Sequence, residues 1–100
     1  MQRKYNVRHL EFEWDTDKAG VNAKKHGIRF EEAATAFLDP MGRLIADPDH
    51  SEDEDRFLLL GLSASERLLV IAHGYRGAGE AIRLISARRA TPRERSDYGH

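Results

Sequence analysis

RFLLLGL at residues 56–62, RLLVIAHGY at 67–75 and EAIRLISA at 80–87 are three β-type runs, separated by Ser63-Ala64-Ser65-Glu66 and by Arg76-Gly77-Ala78-Gly79. Connections this short join neighbouring antiparallel strands, so the stretch reads as a β-meander. Phe57 to Leu60 and Leu68 to Ile71 are apolar at every position. A strand with one wet face would alternate, so both faces of this sheet are expected to be covered over much of their length. Gly42 to Ala46 reads as a further strand.

Upstream, Leu10-Glu11-Phe12-Glu13-Trp14 alternates apolar and acidic residues and is expected to be the first strand. Asp15 then stands at an N-cap and Gly27 at a C′ position, which predicts a helix over 15–26. Phe30, Ala33, Ala34 and Phe37 fall on one face of a second short helix that Asp39-Pro40 ends. Its N-cap, Arg29, has no oxygen with which to satisfy an orphan amide. Thr91-Pro92-Arg93-Glu94 has a capping threonine, proline at N1 and glutamate at N3, and so starts a brief C-terminal helix. The expected fold class is α+β: an antiparallel β-sheet with two short helices after the first strand and a short C-terminal helix. Two short helices cover one sheet face. The other needs the C-terminal helix, the N-terminal segment or a second protein.

The 100 residues suit one domain, 1–100, with residues 1–8 read as a flexible lead. No run approaches the roughly 18 apolar residues of a membrane span, and a cytoplasmic protein is expected. Cysteine is absent, which removes disulfides, thiol nucleophiles and thiolate metal sites. The net charge of -1 averages two opposed segments. Asp47, Asp49, Glu52, Asp53, Glu54 and Asp55 form an acidic loop, whereas Arg76, Arg83, Arg88, Arg89, Arg93 and Arg95 face Glu80 and Glu94 alone. The five histidines show no metal-ligand spacing, and the acidic loop lacks the glycine and glutamate positions of a calcium loop. Phosphate-binding and dinucleotide glycine loops and the nucleophile elbow are also missing, so no metal site and no cofactor is expected.

The residues able to do chemistry lie in two groups. Arg83, Arg88 and Arg89, with Ser86 between them, sit on the last strand, and Arg93 on the helix beyond. Regular alternation places Arg83 and Arg89 on one side, and Ser86 and Arg88 on the other. Guanidinium forks and the first amides of a helix suit a phosphate; the same arginines could equally pair with the acidic loop. Lys25 and His26 end the first helix, where its dipole favours cations. They also combine a charge stabiliser with a group that exchanges protons near neutral pH.

In order along the chain, Phe12-Glu13-Trp14-Asp15 with Lys18 and Asn22, Lys25-His26-Gly27, Phe30-Glu31-Glu32-Ala33, Asp49-His50-Ser51-Glu52 leading to Arg56, and Ile85-Ser86-Ala87-Arg88-Arg89-Ala90-Thr91 resemble the BrnT family of type II toxins. The likeness covers Phe12 to Tyr98, with departures at Arg29 and in residues 1–8. It implies a RelE-like fold, a metal-independent endoribonuclease whose RNA cleavage halts translation, and neutralisation by a BrnA-like, DNA-binding antitoxin. Operator DNA would then be met indirectly, through the antitoxin, in a complex that allows a toxin dimer. The catalytic set expected from this reading is Lys25, His26, Arg56, Arg83, Arg88 and Arg89, with Ser86, Arg93, His50 and Glu52 binding RNA. His26 is the first candidate for proton transfer, with His50 and Glu52 in reserve. The competing reading is a non-catalytic nucleic-acid-binding or adaptor module using the same arginines.

Overall fold

The computed structural model describes residues 1–47 and 56–99. Its described elements run β1 (Gln2–Val7), β2 (Leu10–Asp15), α1 (Thr16–His26), α2 (Phe30–Thr35), a 3₁₀ turn (Ala36–Leu38), β3 (Arg43–Ile45), β4 (Phe57–Leu62), β5 (Leu68–Arg76), β6 (Ala81–Arg89) and α3 (Pro92–Ser96). The strands form one sheet in the order β1-β2-β6-β5-β4-β3. The meander of β4, β5 and β6 is antiparallel, as its short turns require.

Two features correct the sequence reading. Gln2–Val7, taken as a lead, form β1 and pair with β2 from Gln2↔Asp15 to Val7↔Leu10. The turn between them places Arg8 at φ 54°. The helices therefore follow the second strand. The sheet is also mixed, because β2 runs parallel to β6 through Phe12↔Ile82 and Glu13↔Arg83. A parallel pair needs a long crossover, and everything from α1 to β5 lies within this one.

Each helix ends as its sequence dictates. The Asp15 side chain accepts the Lys18 amide at 3.0 Å. Gly27, at φ 71°, returns its amide to Ala23 O at 2.8 Å. No side chain caps α2 at Arg29, and that helix gives way after six residues to the 3₁₀ turn. Phe30, Ala33, Ala34 and Ala36 still bury fully against Phe12, Trp14, Leu69, Ile71, Leu84 and Ala87. Each large side chain removed from water here contributes about 2 kcal/mol. Gly61 lets the turn approach β4, since a Cβ there would lie 2.9 Å from Ala36 O.

The opposite face has its own cluster of Leu58, Leu60, Leu68, Val70 and Ala72, against which Ile45, Leu62, Ile85, Ala90 and Tyr98 pack. The C-terminal segment thus contributes to its cover. Tyr98 Oη donates to Asp39 Oδ2 at 2.6 Å, which also accepts Leu62 N at 2.7 Å. That hydrogen bond holds the Tyr98 phenol up at about 12.

Candidate functional site

The site grows from an irregularity in β6. Ser86 stands opposite Ala72 and Leu84 opposite His73, consecutive residues of β5, so Ile85 is one residue too many. A bulge of this kind inverts the alternation beyond it. Arg83, Ser86 and Arg88, paired with Gly74, Ala72 and Val70, therefore share the face opposite α1 and α2. Arg89, opposite Leu69, goes to the helix face, where its charge helps lower the Glu32 carboxyl. The expected partition, Arg83 with Arg89 against Ser86 with Arg88, is corrected by that single extra residue.

Two concavities meet at Ser86. The first, of about 100 Å³, is lined by Asp47, Arg56, Ser86 and Arg88 over a floor of Leu58, Val70 and Ala72. Arg56 Nε lies 3.3 Å from Asp47 Oδ2, yet is buried without a hydrogen bond of good geometry among the described residues. The second concavity, of about 350 Å³, lies between α1 and β6 and is lined by Asp17, Lys18, Val21, Asn22, Lys25, His26, Ile85 and Ser86.

Arg88 is engaged by α3. Its Nη1 and Nη2 donate to Glu94 Oε1 and Oε2 at 2.7 and 2.9 Å. Hydrogen bonds from Arg88 first, and the Thr91 amide next, pull the Glu94 carboxyl down to about 2. The same carboxylate closes the capping box, Thr91 N donating to Oε1 at 2.9 Å and Glu94 N to Thr91 Oγ1 at 3.2 Å. With Pro92 lacking an amide and the Glu94 amide taken by Thr91, the five-residue helix does not offer the open anion site its sequence suggested.

Arg83 shares the face of Arg88 but turns away from the Arg56 depression. Its guanidinium donates to Gln2 Oε1 at 3.1 Å and Glu13 Oε1 at 3.4 Å, while Arg76 holds Glu13 Oε2 at 3.0 Å. Arg93 is exposed on α3. His50 and Glu52 lie outside the described residues.

Asn22 ties α1, one wall of the second concavity, to β6. Its Nδ2 donates to Ile28 O at 3.0 Å and Ala87 O at 2.9 Å, and its Oδ1 accepts Ala87 N at 2.9 Å. The β2 ladder has ended at Glu13↔Arg83, so this amide stands in for the next strand along β6 and ties Lys25 and His26 to it. Sequence reasoning named Asn22 without this role and used Glu94 merely as a cap. The signal for Glu94 was present, since a capping-box glutamate folds back toward residues before the helix, where Arg88 stands.

None of the curated proteins compared with the chain matches it. Among solved structures, the ribonuclease toxin BrnT of Brucella abortus is similar over 78% of this chain and 92% of its own, at a TM-score of 0.60 and 22% identity. That likeness shows the fold. A family profile described as "Ribonuclease toxin, BrnT, of type II toxin-antitoxin system" matches residues 14–94, which include α1, the β6 bulge and the Arg88–Glu94 pair, and the chain belongs to that family.

Proposed function

We propose that this chain is a metal-independent endoribonuclease whose reaction centre lies where the two concavities meet at Ser86. The observation that carries the reading is this meeting: Arg56 and Arg88 on one side of the hydroxyl, Lys25 and His26 on the other. Guanidinium groups suit a phosphodiester, and the imidazole suits proton transfer.

The RNA 2′-oxygen attacks the adjacent phosphorus as His26 takes its proton. A bond from O2′ to phosphorus forms, the bond to O5′ breaks, and the leaving O5′ takes a proton from water. The products are a 2′,3′-cyclic phosphate and a 5′-hydroxyl. Arg56, Arg88 and Lys25 stabilise the charge that gathers on the non-bridging oxygens, commonly the largest catalytic contribution. Arg83, Arg89 and Arg93 act farther out, through their charge on flanking phosphates, and His50 and Glu52 remain RNA-binding candidates. The need for a 2′-hydroxyl selects RNA over DNA.

In the cell, such cleavage of cytoplasmic RNA halts translation until a BrnA-like, DNA-binding antitoxin neutralises the toxin, in a complex that accommodates two toxin copies. The antiparallel meander with α1 and α2 packed on one face accords with a RelE-like fold. Purified protein incubated with total RNA in excess EDTA is expected to yield fragments ending in cyclic phosphate, strongly reduced in Arg88→Ala and His26→Ala. RNA binding without fragments would overturn the enzymatic reading in favour of an adaptor, and fragments that vanish with EDTA would overturn metal independence.

A further inference from the structure

The cavity between α1 and the β6 bulge carries a second feature, which rests on the ribonuclease reading. Val21 is 66% exposed on a helix that otherwise presents Asp17, Lys18 and Lys25 around it. Ile85, partly buried against the Leu58 to Ala72 cluster, lines the same cavity from β6. Ile85 and Ser86 are consecutive, and in a regular strand they would point to opposite faces; at the bulge both line this one cavity. Its volume of about 350 Å³ falls in the range of small-ligand sites. Two aliphatic side chains form its walls, and carboxylate, ammonium and imidazole groups form its rim.

We propose that this cavity is a nucleobase subsite, which receives one unstacked base of the RNA strand whose phosphate lies at Arg56 and Arg88. Ser86 belongs to both concavities, so a phosphate in one places its own or a neighbouring base in the other. Single-stranded RNA is read through splayed bases that pack on side chains and hydrogen-bond along their edges. Val21 and Ile85 supply the packing surface; Asp17 accepts and Lys18 donates at the base edge. Asn22 is wall and not reader, its amide being spent on Ile28 and Ala87. Lys18 and Lys25 beside the cavity favour a polyanion's base over the apolar face of a partner helix, for which two aliphatic residues are a small footing.

The test is an abasic scan with short 2′-O-methyl RNA oligomers, which bind but lack the attacking hydroxyl. Removing the base at one position is expected to weaken wild-type binding about fivefold, the low end for base stacking. The same removal should cost nothing in Val21→Asp and less than in wild type in Val21→Ala, both at exposed positions compatible with folding. A base dependence equal in wild type and both variants, or missing at every position, overturns the subsite. Arg88→Ala is read in parallel: if it binds every oligomer as tightly as wild type, the phosphate assignment fails while the Val21 result still decides the subsite.

Discussion

Arg88 and Glu94 meet fork to fork, Nη1 donating to Oε1 at 2.7 Å and Nη2 to Oε2 at 2.9 Å. A phosphate would use the same two donors in the same geometry. Glu94 therefore occupies part of the arrangement the proposed substrate needs, and the substrate competes with it. Glu94→Gln, which keeps an oxygen for the Thr91 amide but gives up the charge, is expected to tighten RNA binding. Filter binding at two salt concentrations checks this, and weaker binding would show that Glu94 positions Arg88 for RNA instead of withholding it.

Stability in acid draws on several depressed carboxyls, of which Glu94 and Glu32 are the two held by arginines. Glu94 is held down to about 2 by Arg88 and the Thr91 amide, and Glu32 is lowered chiefly by its hydrogen bonds from Arg67. A carboxyl whose folded pKa lies below its unfolded value favours the folded state above the unfolded value, near 4.5, and loses that contribution as pH falls toward the folded pKa. Urea midpoints measured between pH 7 and pH 3 should drop below about pH 4.5. The drop should be shallower in Glu94→Gln and Glu32→Gln, which start less stable at pH 7.

Asn22→Ala leaves the Ala87 amide and two carbonyls without their partners in a buried place. The expected loss is about 2–4 kcal/mol, since each orphaned buried group costs about 1–3 kcal/mol and some will find water. Cleavage should fall further than stability alone explains, because Lys25 and His26 lose their register on Ser86. Chemical denaturation together with cleavage assayed well below the melting temperature separates the two effects.

Arg88→Ala and Arg89→Ala are neighbours in sequence and opposites in the sheet. The first is expected to lower cleavage by one to two orders of magnitude, roughly the worth of one charged donor at a developing negative charge. The second should leave the rate within about threefold, acting on Glu32 and through net charge alone. Equal losses would indicate a strand without the bulge.

Much of the fold was legible because its signals are local. Asp15 and Gly27 bracket α1, Thr91-Pro92-Arg93-Glu94 declares α3, and connections of five and four residues impose the antiparallel order of β4, β5 and β6. What escaped was non-local or disguised. Arg3, Lys4 and Asn6 hide the alternation of Tyr5 and Val7 in β1, and nothing near Phe12 states that it lies parallel to Ile82. The bulge at Ile85 carries neither glycine nor proline to announce it, so regular alternation misplaced the arginines beyond it. The chemistry-bearing residues were nameable from type and order, whereas their meeting at Ser86 depended on that one irregular residue.

Among the described residues, the two outermost strands of the sheet bear on how the molecule meets others. β3 has three residues, and β1 presents Arg3 and Lys4 along an exposed ribbon. A short rim and a charged one are poor templates for a strand from another chain. Recruitment by strand addition is thereby disfavoured at both of these borders, so the proposed RNA substrate and a neutralising protein would compete for broad surfaces and not for strand edges.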